Sequence, residues 1–242
     1  MKLLFIRHGD PDYEIDSLTE KGWREAKLLS KRMVKEHPDA IYCSPLGRAR
    51  DTASLTLDLL QKPAVIYDWL REFEVPVIHP QTGKERNVAW DLLPQYWTKD
   101  IHLYEKDGWR QSELVHESRV SQEYDRVCTG LDEVLEQHGY HREGNLYLAK
   151  HPNRDTVAMF CHFGVTCVML SHLLGISPFV LWQGFVAAPT SVTVLYTEER
   201  EKGFASFRCQ SFGDISHLYA GDEPPAFAAR FCETYDCAEE RH

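Results

Sequence analysis

A set of two arginines, two histidines and one glutamate in this 242-residue chain stands where its members can do chemistry together. Arg7 and His8 follow a short apolar run, KLLFI, and precede Gly9. Arg48 comes after a second apolar run, DAIYC, across Ser44-Pro45-Leu46-Gly47. Glu72 lies a few residues beyond a third run, AVIY, and His162 directly follows a fourth, TVAMFC. Such a set suits phosphoryl transfer. A guanidinium offers a fixed fork of donors that matches phosphate geometry. A neutral imidazole can attack phosphorus in line and form a covalent phospho-enzyme, while a second histidine holds the equatorial oxygens. A carboxylic acid can protonate the departing oxygen and then activate water. Because the transferred group spreads its charge over several oxygens, positioning and electrostatics carry most of the catalysis. This chemistry needs neither a metal nor another cofactor.

The apolar runs behave as strands that deliver these residues. KLLFI is followed by a Gly, Asp and Pro cluster, as expected of a buried strand leaving a sheet. Thr19 caps a helix that runs to about His37, with Trp23, Ala26, Ser30, Met33 and Val34 at helical spacing. Ser44 and Pro45 read as the N-cap and first residue of a second helix, with Leu46, Ala49, Ala53, Leu57 and Leu60 on its apolar face. Further helices are expected at about 119–138, closed by Gly139, and at 164–174, closed by Gly175. Late strands are expected at 191–197 and 206–212, as a hairpin. Strand–helix alternation of this kind argues for an α/β sandwich with a mostly parallel sheet. In such a sheet ligands bind beyond the carboxyl ends of the strands, which is where the five residues stand.

From about Phe73 to Gln111 the periodicity fails, and Trp90, Tyr96, Trp97, Tyr104 and Trp109 mix with lysines and arginines. A structureless loop of that length is unusual, so this stretch is expected to be a lid or small subdomain. The organisation is then one domain over 1–242, with an inserted specificity region at 73–118 and a C-terminal extension at 213–242.

Bulk properties narrow the function classes. A formal charge of −10 repels nucleic acid and anionic membranes, so a small anion must be held by a local basic pocket. Seven cysteines form an odd set with no CxxC pair, which reads as a reduced, cytoplasmic chain rather than a disulfide framework. The opening MKLLFIRHGD has too short an apolar run for a signal peptide, and no stretch approaches membrane-spanning length.

The ordered set RHG at 7–9, SLTEKGWREA at 17–26, SPLGRARDTA at 44–53, LRE at 70–72 and HFG at 162–164 resembles the histidine phosphatase superfamily. The likeness spans most of the chain. It implies the phosphoglycerate mutase-like fold, a three-layer α/β/α sandwich with an inserted lid. It implies that His8 is the nucleophile, that Arg7 and Arg48 clamp the phosphate, that His162 completes the pocket and that Glu72 donates the proton. Two departures stand out. Phe163 intervenes where the family follows its second histidine with glycine, and it either lines the pocket or marks a rebuilt turn. DPDYEID replaces the family's polar run after RHG, which makes Asp10 and Tyr13 candidates to face the leaving group.

The leading expectation is a metal-independent phosphomonoesterase that hydrolyses a small phosphorylated metabolite through a phosphohistidine on His8. A phosphoglycerate mutase-type phosphotransferase is the nearest alternative. The family's mutases carry an arginine, aromatic and glycine run after the donor glutamate, whereas EFEVP stands here. A catalytically silent protein that binds phosphorylated ligands is the third, resting on Phe163 alone. Glu74 and Asp68 compete with Glu72 as the acid, and His138 with His141 reads as a surface turn rather than a metal site. Cys43 precedes Arg48 by C-x4-R, one residue short of a cysteine phosphatase loop, and is rejected as nucleophile. A homodimer is left open by the sequence.

Overall fold

A computed structural model describes residues 1–86, 88–116, 118–227 and 235–236. Its centre is an eight-stranded sheet. In chain order the main elements are β1 (Lys2–Arg7), α1 (Glu20–Glu36), β2 (Ala40–Cys43), α2 (Gly47–Leu60), β3 (Val65–Ile66) and α3 (Val120–Gln137). Then come β4 (Tyr140–Glu143), β5 (Leu146–Ala149), β6 (Thr156–Cys161), α4 (Phe163–Leu174) and α5 (Pro178–Gly184). Two long strands, β7 (Val192–Glu201) and β8 (Phe204–Asp214), and the short α6 (Ser216–Ala220) close the series.

The strand order is β3-β2-β6-β1-β7-β8-β5-β4. The first four are parallel, and the remainder pair antiparallel. Strands β8 and β4 still point the same way as the parallel four, so most of the sheet shares one direction. Strand β6, late in the chain, lies between β1 and β2. That order places the ends of β1 and β6 side by side.

Helices on both faces explain why KLLFI and TVAMFC are continuously apolar rather than alternating. Leu4, Ile6, Ala158 and Phe160 face Leu29 and Met33 of α1 and Ala49 and Ala53 of α2. Leu3, Phe5, Val157 and Met159 face the other way, toward Val127, Leu131 and the helix α4. The result is the three-layer α/β/α sandwich expected. Helix α4 is buried nearly all round from Phe163 to Ser171, as its unbroken apolar sequence requires.

Thr19 caps α1 as expected, its side chain accepting from the Gly22 amide. The second helix differs. It begins at Gly47 with Leu46 as N-cap and no side-chain cap of its own, two residues later than Ser44 and Pro45 suggest. The reason is tertiary: an Asp16 oxygen accepts from the Gly47 amide at 2.7 Å, and the Ser44 hydroxyl turns elsewhere. The late strands form the expected hairpin with greater length and irregular register. The hairpin β4–β5 and the helix α5 were not foreseen.

The segment 73–118 is made of short pieces. Val77–Ile78 pairs with Glu85–Arg86, and short helices stand at Pro94–Trp97 and Glu113–His116. Its Leu103, Trp109 and Val115 are buried in the same core as α3 and α4, Trp109 against Tyr124 and Phe179. Of the 213–242 stretch, the chain through Phe227 lies against α1, where Lys21 and Arg24 both bind Glu223. The rest of that stretch, apart from 235–236, lies outside the described residues. Among the described residues no helix is long and apolar enough to cross a membrane.

Candidate active site

Strands β1 and β6 pair in parallel with Arg7 opposite Cys161, so the residues that leave them, His8 and His162, emerge level with each other. Their rings lie 5.1 Å apart, centre to centre. The turn that carries His8 is held on every side by hydrogen bonds. His8 donates its amide to the Cys161 carbonyl at 3.1 Å, and its own carbonyl accepts from the Thr190 amide at 3.0 Å. The Gly9 amide donates to Thr52 Oγ1 at 2.9 Å, and that hydroxyl donates to the Arg48 carbonyl at 2.7 Å. A methyl group on Gly22 would lie 2.3 Å from the Asp10 carbonyl, so the first helix can approach this turn only because glycine stands there.

The His8 ring has a defined tautomer. Its Nδ1 lies 2.7 Å from the Gly9 carbonyl, which can only accept, so Nδ1 carries the proton and Nε2 keeps its lone pair. Burial holds the His8 pKa well below the ordinary histidine value, with the nearby Arg7 charge adding to the effect. The ring is therefore neutral and nucleophilic at neutral pH.

Arg7 is buried beside His8 and donates through Nη1 to the Ala187 carbonyl. Arg48, only 6% exposed, stands in the first turn of α2. Its Nη1 donates to Asp16 Oδ1 at 2.7 Å, and Tyr13 lies over it with 5.4 Å from ring centre to guanidinium carbon. The Arg48 Nε is buried without a hydrogen-bond partner among the described residues. Asp16 thus fixes both the helix start and the arginine, from a backbone with φ of +49°. Nothing in the local sequence marks it for that role.

His162 is fully buried and its Nε2 lies 2.8 Å from Ser44 Oγ. Its Nδ1 has no partner among the described residues. Burial, then the His8 and arginine neighbours, hold its pKa well below the ordinary value. Phe163 is the first residue of α4 and 4% exposed, its ring edge-on to Trp90 at 6.2 Å. A helix starts at once after His162, with the Thr166 amide donating to the His162 carbonyl.

Glu72 Oε1 accepts from the Phe73 amide at 2.8 Å and from the Val165 amide, in the first turn of α4, at 3.2 Å. Both bonds fall on Oε1, which leaves Oε2 as the seat of a proton. Burial raises the Glu72 pKa above the usual carboxylate value, against the opposing pull of Arg7 and Arg48. A methyl group on Gly164 would meet the Trp90 ring at 2.5 Å and Glu72 Oε1 at 2.7 Å. Trp90 therefore reaches from the 73–118 segment to the floor of the site.

Arg7, His8, Arg48, Glu72 and His162 are thereby brought to one edge of the sheet. Asp10 is turned toward α1, its carboxylate accepting from Thr19 Oγ1 at 2.7 Å. Sequence reasoning missed Asp16, Ser44, Thr52 and Trp90 as parts of the surroundings. The competitors recede. Burial pushes the Cys43 thiol up to about 12, where it is no nucleophile. His138 binds Tyr42 and His141 binds Glu136, two separate local contacts.

Comparison with known proteins gives the same picture. A family model described as the histidine phosphatase superfamily, branch 1, matches residues 3–210. A probable phosphatase of Schizosaccharomyces pombe is 25% identical over 90% of this chain and 95% of its own length. Phosphoserine phosphatase 1 of Hydrogenobacter thermophilus is 25% identical over 83% of this chain and 88% of its own. Among solved structures, a phosphoserine phosphatase from Entamoeba histolytica shares the fold with a TM-score of 0.60, at 19% identity over 90% of this chain and 98% of that one. The chain belongs to the histidine phosphatase superfamily, branch 1.

Proposed function

We propose that the chain is a metal-independent phosphomonoesterase that hydrolyses a small phosphorylated metabolite through a phosphohistidine on His8. The observation that carries this reading is the hydrogen bond from His8 Nδ1 to the Gly9 carbonyl, which leaves Nε2 unprotonated beside two arginines and a second histidine. In the first step the Nε2 lone pair attacks phosphorus, the phosphorus–oxygen ester bond breaks, and the Glu72 proton passes to the leaving oxygen. Arg7, Arg48 and the Nδ1–H of His162 hold the three remaining oxygens as charge builds on them. In the second step the Glu72 carboxylate takes a proton from water, and the resulting hydroxide attacks phosphorus. The nitrogen–phosphorus bond breaks and its electron pair returns to Nε2, releasing inorganic phosphate.

Relatives named as phosphatases, one of them a phosphoserine phosphatase, support hydrolysis of a small phosphomonoester. The test is p-nitrophenyl phosphate hydrolysis with EDTA present, for wild type and His8→Ala. Turnover by wild type alone, with acid-labile phosphate trapped on the protein after rapid quench, is the expected result. Turnover that vanishes with the chelator, or survives loss of His8, overturns the proposal.

A further inference from the structure

Beside Glu72 opens a cleft of about 490 Å³. A group esterified to the phosphate must extend past the residue that protonates its oxygen, so on the function proposed above this cleft holds the leaving group. Its charged lining is mixed: Arg71, Arg119 and Arg126 with Asp68, Glu74 and Glu123. The pairing among them is unequal. Arg126 is committed, with Nη2 on Glu123 Oε1 at 2.5 Å and Nη1 on Asp68 Oδ2 at 3.3 Å. Arg71 has only a looser contact with the same Asp68, at 3.5 Å. Arg119 reaches the side-chain oxygen of Gln122 at 3.4 Å and pairs with no carboxylate among the described residues. Glu74 is folded back by a bond from its amide to the Glu72 carbonyl, and its Oε1 stands 3.9 Å from Arg48 Nη2. It therefore borders both the phosphate clamp and the cleft.

Arg126 and Arg71 together offset Asp68 and Glu123, two charges against two, so Arg119 and Glu74 remain to meet a ligand. A neutral sugar would leave Arg119 without a charged counterpart, and a purely anionic group would face Glu74. We infer that this cleft is a subsite for a zwitterionic leaving group, its ammonium held by Glu74 and its carboxylate by Arg119 with Arg71 beside it, as in a phosphorylated hydroxy amino acid. Arg71 lies close enough to the reacting groups that its charge helps to depress the His162 pKa, which supports its pointing to the site end of the cleft.

The test compares three substrates on the full chain. O-phosphoserine carries both groups, 3-phosphoglycerate the carboxylate without the amine, and phosphoethanolamine the amine without the carboxylate. Wild type is expected to favour phosphoserine in kcat/KM over each of the others by about tenfold or more, the scale of one hydrogen bond to a charged group. Glu74→Gln should collapse the preference over 3-phosphoglycerate, and Arg119→Gln the preference over phosphoethanolamine. Arg71→Gln serves as a second probe of the carboxylate end. Absence of the preference in wild type, or ratios that move less than twofold in the variants, overturns the subsite. Wild-type turnover of p-nitrophenyl phosphate in that case leaves the phosphatase proposal standing, whereas turnover of none of the four substrates removes both.

Discussion

Ser44 Oγ lies 2.8 Å from His162 Nε2, across a separation of 118 residues. The same oxygen accepts from the Leu46 amide at 3.3 Å, which leaves its hydrogen for the imidazole. His162 then carries its own proton on Nδ1, the atom that has no partner among the described residues. The serine thus sets which nitrogen can donate to a phosphoryl oxygen. Ser44→Ala should lower kcat about tenfold, the scale of one charge-assisted hydrogen bond, without loss of fold. Ser44→Thr should restore part of it. Steady-state kinetics of both variants, with circular dichroism as the control, check this, and an unchanged kcat in Ser44→Ala would show the bond to be incidental.

Glu72→Gln removes the proton donor while keeping an oxygen for the Phe73 and Val165 amides. With an alkyl phosphate, whose leaving oxygen needs a proton, kcat should fall by about 10² to 10⁴. With p-nitrophenyl phosphate the leaving phenolate is stable, so the loss in the first step should be far smaller. Measuring both substrates on one preparation separates acid catalysis from a general disturbance, which would reduce the two alike.

The pH dependence rests on opposite shifts. His8 must be unprotonated to attack, and its lowered pKa keeps it so down to well below the ordinary histidine value. Glu72 must be protonated, and its raised pKa extends the active form above the ordinary carboxylate range. Activity should therefore hold between the lowered His8 value and the raised Glu72 value, and fall as pH rises through the latter. In the pH profile of kcat/KM for an alkyl phosphate, the alkaline limb should disappear in Glu72→Gln.

Glu25 offers a prediction on stability. It is fully buried in α1, its oxygens accepting from the Asp10 amide at 3.1 Å and the Ala226 amide at 2.9 Å. Burial raises its pKa to about 7. A carboxyl group raised in the folded state binds its proton more tightly there than in the unfolded chain. Its contribution is fully present below the unfolded value near 4.5 and is lost as pH rises toward 7. Melting temperatures of wild type and Glu25→Gln, taken from pH 4.5 to 8, should show this fall in wild type only. Parallel curves would place the Glu25 proton elsewhere.

Gly164→Ala tests the reach of Trp90. The added methyl group meets that ring and Glu72 Oε1 well inside contact distance, so one of the two must move. A fall in kcat with a shift in tryptophan emission is expected, partly relieved when Trp90→Ala is added. Full activity in the single variant would mean that Trp90 yields freely.

The sequence disclosed those parts of the site that are carried on strands buried on both faces. KLLFI, DAIYC and TVAMFC are visible because both sides of each are covered, and the residues leaving each run arrive at the same edge. It was silent where a residue acts through a partner remote in the chain. Asp16 caps a helix that begins at Gly47, and an aspartate in a Tyr-Glu-Ile-Asp loop carries no mark of that. Ser44 has the type and place of an N-cap and accepts from the Leu46 amide, but its hydroxyl hydrogen goes to His162. The hairpin of β4 and β5 was hidden because YHREGNLYLA mixes charge into both strands, leaving its turn glycine, Gly144 at φ +57°, as the visible signal. Glu25 occupies a helix position where glutamate ordinarily meets solvent, and only the approach of Asp10 and Ala226 buries it.

The place of β6 between β1 and β2 has a consequence for the order of events during synthesis. When the first 150 residues have left the ribosome, β1 and β2 exist without the strand that joins them. Their facing edges still lack partners for their backbone amides and carbonyls, and the ring that must stand beside His8 has not been made. Such an intermediate has an open slot that any extended segment could enter, which is a hazard for long-range strand pairing. Arrival of Thr156–Cys161 fills that slot and brings His162 level with His8 in one move. Closure of the parallel half of the sheet and the pairing of the two histidines therefore await one segment of chain, while the contacts of Arg7 with Ala187 and of His8 with Thr190 await a later one.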